Sequence, residues 1–317
     1  MSDNSGKKRS IKEYLRIYVT GLIMGGADVV PGVSGGTMAF ILGIYEELIE
    51  SIKKFTSADA IAMALKFQIK KAYQTLPWPF LLALGLGILT AIVVLASPIH
   101  WMLENRPVLI WAFFFGLVVA SIFTVFSRIR KWSPFTVVSL LAGTAAGWIV
   151  VGLPLLNNPP DSCLYLAFCG AIAICAMILP GISGSFILLL MGKYALVLNA
   201  VNELKSMTNI GQNLLILGTF VVGIIIGISS FVRLLSWLFR KFHDLTVAVL
   251  IGFMAGSLRK VWPWKSGLSD DAANVLPAQF NAEFWSAVGL AVAGFLLVMV
   301  LETVAKRLEK RAAETIC

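Results

Sequence analysis

The sequence predicts an all-α polytopic membrane protein built from two inverted-topology repeats, each a broken or re-entrant helix hairpin followed by three transmembrane helices. Three observations lead there. Hydrophobic residues make up 58% of the 317 residues and charged residues only 14%, against about 45–50% and 25% in an ordinary soluble domain. Apolar runs of membrane-spanning length recur along the chain. Two further apolar segments are interrupted by glycine and proline in one shared pattern. At about 20 residues per span, the length leaves room for at most about ten spans and no sizeable water-soluble domain.

Taken in order, the first repeat is expected over 1–156 and the second over 157–317. The chain opens on a basic stretch, Lys7, Lys8 and Arg9, that resembles a signal-peptide start. The apolar run behind it is interrupted by Gly25, Gly26 and Asp28 and carries no convincing cleavage site, so the N-terminus is expected to be retained. Residues 15–49 are broken by Gly25-Gly26-Ala27-Asp28-Val29-Val30-Pro31-Gly32-Val33-Ser34-Gly35-Gly36, and residues 164–198 by Pro180-Gly181-Ile182-Ser183-Gly184. Glycine and proline punctuate structure most strongly, so each segment reads as two half-helices joined by a loop at membrane depth. Between the first hairpin and the first plain span, residues 51–76 mix Lys53, Lys54, Lys66, Lys70 and Lys71 with Ile61, Leu65, Phe67 and Ile69. That pattern suits a basic helix lying on the membrane surface. Uninterrupted runs follow near 78–99, 108–127 and 135–156, and again near 213–239, 244–258 and 284–304.

The broken segments are copies of one another. An offset of 149 carries Pro31 to Pro180, Gly32 to Gly181, Ser34 to Ser183, Gly35 to Gly184, Gly43 to Gly192 and Tyr45 to Tyr194 without a gap. Further on, an offset of 136 carries Gly87 to Gly223, Trp101 to Trp237, Gly116 to Gly252 and Ser121 to Ser257. The longer connector of the first half accounts for the change.

Charge sets the orientation. The formal charge of +9 would suggest nucleic acid in a soluble chain, but here the position of the basic residues decides its meaning, and no nucleic-acid partner is expected. With both termini cytoplasmic and each hairpin entering and returning on one side, 19 of the 26 Lys and Arg fall on the cytoplasmic side. Six fall outside, namely Arg106, Lys193, Lys205, Arg259, Lys260 and Lys265, and Arg233 lies within an apolar run. This satisfies the positive-inside rule. Three spans per half is an odd number, so the second half starts outside and runs inverted. Most of the nine Trp fall near expected span ends, as interfacial aromatic belts do.

Inverted repeats with broken helices mark a transporter's binding site. Non-helical backbone is tolerated in hydrocarbon only where it is buried in protein or lines a cavity, so loops 31–36 and 180–185 are expected to face each other. Ser34 and Ser183 stand as N-caps of the returning half-helices, and the glycines leave backbone N–H groups approachable. Two helix starts aimed at one cavity favour an anion. The candidate substrate-binding residues are Pro31, Gly32, Ser34, Gly35, Gly36, Thr37, Pro180, Gly181, Ser183, Gly184 and Ser185. The plainer alternative is that Pro-Gly-x-Ser-Gly only kinks a helix for close packing; its recurrence in both halves weighs against that.

Asp28 and Arg233 are charges inside apolar segments, where each costs about 2.5–3.5 kcal/mol near the bilayer centre, and they are candidates for a coupling or charge-pair role. The plainer readings are that Asp28 caps a helix and that Arg233 snorkels to the headgroups. A carboxylate beside a phosphate is repulsive unless protonated or paired, so Asp28 suits coupling better than ligation. Glu46, Glu47 and Glu50 read as a solvated helix end. Cys163, Cys169, Cys175 and Cys317 form no C-x-x-C pair, and His100 and His243 sit at expected span ends, so neither a metal site, a disulfide framework nor a cofactor is expected. H-E-x-x-H and G-x-x-x-x-G-K-[ST] are absent from the sequence, and no enzyme is expected.

The runs Gly26-Ala27-Asp28-Val29-Val30-Pro31-Gly32-Val33-Ser34-Gly35-Gly36-Thr37 and Ile178-Leu179-Pro180-Gly181-Ile182-Ser183-Gly184-Ser185 resemble the bacterial polyprenyl-phosphate transporter family, over nearly the whole chain. The resemblance implies a bacterial inner-membrane flippase. It would return undecaprenyl phosphate, the carrier lipid of peptidoglycan and other cell-envelope polymers, from the outer to the cytoplasmic leaflet. A dianionic headgroup then meets the paired helix starts while the tail stays in lipid through a side opening. Two alternatives remain open. Membrane undecaprenyl-pyrophosphate phosphatases share inverted repeats and a P-G-x-S-R-S motif, but here Gly35-Gly36 and Gly184-Ser185 replace Arg-Ser, and the phosphate-gripping arginine is missing. A transporter of small soluble anions would need the same headgroup site without a tail path.

Overall fold

The computed structural model describes residues 9–28, 34–66, 68, 71–72, 75–156, 158–267, 273–277 and 279–314. Pro31 and Gly32 of the first motif, Lys70 of the basic stretch and Cys317 lie outside them. Among the described residues the chain is helical and has no strand; one isolated bridge pairs Lys265 with Asn274. The first half runs α1 (Ile11–Asp28), α2 (Gly35–Ile41), α3 (Tyr45–Phe55), α4 (Ala58–Leu65), α5 (Trp78–Asn105), α6 (Pro107–Phe126) and α7 (Pro134–Val151). The second runs α8 (Cys163–Ile178), α9 (Gly184–Leu190), α10 (Tyr194–Lys205), α11 (Ile210–Lys241), α12 (His243–Ser257) and α13 (Ala282–Glu314).

Five helices, α5, α6, α7, α11 and α13, are long and apolar enough to cross a membrane. The bent pair α9–α10, with 112° between its arms, would make a sixth; α8 and α12 are apolar but shorter. More than half of α6 is buried, against under a quarter of each of the other four, so α6 stands at the centre. Side chains such as Val93, Phe135, Leu141, Leu215, Ile226 and Leu296 are exposed, which suits helices with one face in lipid.

Each break carries a third helix beyond the two expected halves: α1 gives way to short α2 and then α3, and α8 to short α9 and then α10. The turn after each short helix is the same. Gly43 (φ +76°) and Gly192 (φ +68°) take left-handed backbone, and the amides of Ile44 and Lys193 reach back to the carbonyls of Ala39 and Leu188 at 3.0 and 3.1 Å. This is the helix stop that glycine makes cheap. Within the basic stretch, α3 and α4 are separate helices. Thr56 and Ser57 turn their hydroxyls back onto the carbonyls of Ile52 and Lys54, and the Ser57 Oγ accepts from the Ala60 amide to start α4. Such hydroxyls offer the backbone an alternative to a continuous helix.

The four most extensive helix pairings are α1 with α5, α8 with α11, α7 with α12 and α6 with α13. The first two lie within a half; the last two join one half to the other. Glycines make these seams. A Cβ on Gly21 would overlap the Leu84 carbonyl oxygen and one on Gly170 that of Phe220; Gly87 meets Tyr18 and Gly223 meets Ala167 in the same way. Across the halves, Gly116 meets the Ala291 carbonyl and Gly252 that of Leu140, while Gly294 meets Phe113 and Gly143 meets Val249. Offsets of 149 for α1 to α8 and 136 for α5 and α6 to α11 and α12 turn each contact into its counterpart. The last span needs an offset of 151, which carries Leu140 to Ala291 and Gly143 to Gly294. Small residues that let backbones approach are the usual means of packing helices in lipid.

Candidate functional site

The two breaks touch. Helix α8 stops at Ile178, leaving its last carbonyls without intrahelical donors. The first half supplies donors to them. Ser34 Oγ lies 3.2 Å from the Met177 carbonyl and 3.3 Å from that of Leu179, and the Tyr45 hydroxyl donates to the Ile178 carbonyl at 3.0 Å. Gly36 lies so close to the Ile178 carbonyl oxygen that no Cβ would fit. In the other direction, the Gly181 amide donates to Thr37 Oγ1 at 3.0 Å. Gly181 itself has φ +101°, with Ser257 and Met254 against the place a Cβ would take, so backbone freedom and lack of bulk are both required.

Both serines act as caps. Ser34 is extended (φ −122°, ψ 132°), and its Oγ accepts from the Gly36 amide at 3.1 Å; Ser183 (φ −94°, ψ 144°) accepts from the Phe186 amide at 3.2 Å. Ser34 and Thr37 are fully buried. Ser185 Oγ lies 3.2 Å from Ser183 Oγ, which brings two hydroxyls to the start of α9.

Charge separates the two sides. Asp28, the last residue of α1, accepts the Gly35 amide on its Oδ1 at 2.6 Å, so α2 begins on a carboxylate of its own chain. At α9 the neighbouring charge is positive. Lys260, 8% exposed, holds its Nζ 4.4 Å from the centre of the Phe186 ring, a residue of the first turn of α9. Lys265 Nζ donates to the Lys260 carbonyl at 2.9 Å and stands 4.7 Å from the Trp111 ring; Trp262 packs edge-on against Phe115. Cation–π contacts of this kind hold an ammonium in apolar surroundings.

Of the sequence candidates, the structure brings together Asp28, Ser34, Gly35, Gly36, Thr37 and Gly181, Pro180 lies between the contacting residues Leu179 and Gly181, and Ser183, Gly184 and Ser185 follow at the start of α9. Arg233 is elsewhere. It lies on the exposed side of α11 and donates from Nη2 to the Thr56 carbonyl at 2.7 Å, so its partner is a backbone carbonyl and not a carboxylate. Two charged residues escaped the sequence reading. By sequence Lys260 reads as an outside loop charge, although its place two residues past an apolar run sets it apart. Glu302, near the end of the last apolar run, is 9% exposed and accepts from Thr124 Oγ1 at 2.8 Å. Cys169 is buried, Cys175 is half-buried and Cys163 is exposed. Among the described residues no group of acidic, His and Cys side chains could hold a metal ion.

The sequence is similar to that of known proteins. The chain is 44% identical over 257 residues to a protein of Vibrio cholerae serotype O1 named polyprenyl-phosphate transporter, covering 81% of this chain and 80% of that one. A Staphylococcus aureus protein of the same name is 30% identical over 257 residues, covering 77% and 84%. No solved structure matches. The profile of the undecaprenyl phosphate translocase-like family matches residues 24–276, from just before the first break to beyond Lys265, and the chain belongs to that family.

Proposed function

We propose that the protein carries undecaprenyl phosphate across the bacterial inner membrane, from the outer to the cytoplasmic leaflet, as a flippase of two inverted repeats serving peptidoglycan and envelope synthesis. The observation that carries this reading is the direct contact of the two Pro-Gly-x-Ser-Gly breaks through Ser34, Thr37 and Gly181, because a transporter site lies where such breaks meet. The recurrence of four glycine–carbonyl contacts under fixed offsets supports the repeat. Both named relatives are transporters, which favours carriage over hydrolysis.

The phosphate is placed against residues 183–186 beside Lys260. There two serine hydroxyls stand at the start of α9 and the nearly buried Lys260 lies over the Phe186 ring of its first turn, on the side that the positive-inside arrangement puts outside. Asp28 already occupies the Gly35 amide. An incoming phosphate can therefore join the first motif only when that carboxylate is neutralised or displaced, and this gives Asp28 its part in coupling. The prenyl tail stays among the exposed apolar faces in lipid.

Proteoliposomes loaded with labelled undecaprenyl phosphate test the reading. Protein-dependent loss of label from the outer leaflet, competed by long-chain but not short-chain prenyl phosphates, is expected. Release of inorganic phosphate from undecaprenyl pyrophosphate would instead indicate a phosphatase, and equal competition by inorganic phosphate a small-anion carrier. Orientation is read from Cys163, which should react with an impermeant thiol reagent added outside intact cells, whereas Cys317 should react only once the inner face is opened.

A further inference from the structure

The helices that follow the two breaks are equivalent in sequence position but not in setting. Under the offset of 149, Tyr45 corresponds to Tyr194 and Ile49 to Leu198; Tyr45 is 3% exposed and Tyr194 39%, Ile49 1% and Leu198 45%. The difference has a structural source. Helix α3 is fastened along its length to the C-terminal end of α11 and the first residue of α12, helices of the other half. Tyr45 meets the Phe239 ring, Glu46 lies 3.4 Å from His243 Nε2, Lys53 Nζ donates to Ser236 Oγ at 2.8 Å, Ser236 Oγ donates to Glu50, and Arg233 reaches the Thr56 carbonyl. Carried over by the offsets, the counterpart of this seam is α10 against the C-terminal end of α5, with Asn202 opposite His100. Among the described residues no hydrogen bond, ion pair or ring contact joins those two helices. Helix α10 instead leans on the start of α11 within its own half, where Asn213 Nδ2 donates to Glu203 at 3.0 Å. Both faces of the unmade seam are exposed, including His100 and Trp101 on α5.

We propose that the α3–α11 seam and the α10–α5 seam are the two alternating gates of the transporter, the first closed and the second open in this structure. Resting on the reading of the previous section, this identifies the captured state as open to the outer side. Two arrangements of equivalent parts differ here only in which cross-half seam is made, and rocking one repeat against the other exchanges them. The polar rungs of α3 hold the present state, so weakening them shifts the population toward the other.

The test uses the full chain, with its native cysteines replaced, in lipid nanodiscs. Spin labels at Asn202→Cys and His100→Cys report the α10–α5 separation, and labels at Lys54→Cys and Trp237→Cys report α3–α11. Ser236→Ala with Arg233→Gln breaks the made seam; losing two such contacts is expected to raise the population with α10 against α5 about tenfold, with α3–α11 lengthening in step. Lengthening of α3–α11 with α10–α5 unchanged would overturn the proposal. If the double variant does not fold, a bifunctional thiol cross-link between Asn202→Cys and His100→Cys in the intact seam should drive the α3–α11 labels apart, and unmoved labels would overturn it equally. Transport of undecaprenyl phosphate by the same samples separates the two ideas. Reciprocal exchange without transport rejects the function and keeps the gates, while transport without exchange rejects the gates alone.

Discussion

The two breaks share a motif and hold opposite charge. At the first, Asp28 turns back and accepts the Gly35 amide, so the start of α2 is satisfied from within. At the second, Lys260 lies over the ring of Phe186 in the first turn of α9. Two helix starts with like dipoles would each favour an anion by up to about 2 kcal/mol when partly buried. One of them is already occupied by the protein's own anion. Under the proposed function, the second break is the receiving side and the first is the self-neutralised side.

The largest effect is expected where backbone shape supports the contact between the breaks. Gly181→Ala places a Cβ in left-handed backbone against Ser257 and Met254, and it should lower folded yield and thermal stability by several kcal/mol through strain and overlap together. A melting temperature within a few degrees of the parent would refute the tight contact. Next in size is Lys260→Met, which keeps bulk and removes charge. We expect undecaprenyl phosphate binding to weaken tenfold or more with the melting temperature retained, and Lys260→Arg to restore part of it; unchanged binding in the Met variant would move the phosphate elsewhere.

The serines compare the two sides directly. Each cap hydroxyl supports its helix by about 1 kcal/mol, but Ser34 also meets the carbonyls of Met177 and Leu179. Ser34→Ala should therefore cost more stability than Ser183→Ala, whereas Ser183→Ala should cost more binding. If one headgroup engages both breaks, the binding losses in the double variant will depart from the sum of the singles; strict additivity would assign each serine to its own helix alone. Smallest in magnitude is Asp28→Asn. The amide side chain still accepts the Gly35 hydrogen bond but cannot change charge, so transport should become insensitive to pH while binding survives. A pH profile identical to the parent's would remove Asp28 from coupling.

Much of this was legible in the sequence, for identifiable reasons. Proline and glycine at fixed offsets exposed the breaks because few residues tolerate a helix stop inside an apolar segment, and the same offsets located Gly87, Gly116, Gly223 and Gly252, each of which meets a facing carbonyl. The facing carbonyls themselves were hidden, since Tyr18, Ala167, Leu140 and Ala291 contribute backbone and any side chain would serve. The third helix of each break was missed because α3 and α10 are short and amphipathic, with none of the apolar length that marks a span. Asp28 could be read as a cap or as a coupling group from its position alone, and in the structure its carboxylate accepts the Gly35 amide at 2.6 Å. Lys260 was obscured by the loop that follows it, since a basic residue past the end of a span ordinarily reports orientation only.

The cross-half seams also set a timetable for biogenesis. Gly116 on α6 waits for Ala291 on α13, a helix 175 residues further along the chain. At about 5–20 residues per second of synthesis, the central helix stands in the bilayer for roughly 9–35 s before its neighbour emerges. During that interval α6 presents a glycine-notched face with no matching surface yet made. Late truncations that remove α13 should thus leave a polypeptide fully inserted yet unassembled, open to quality-control proteases by way of the notch around Gly116.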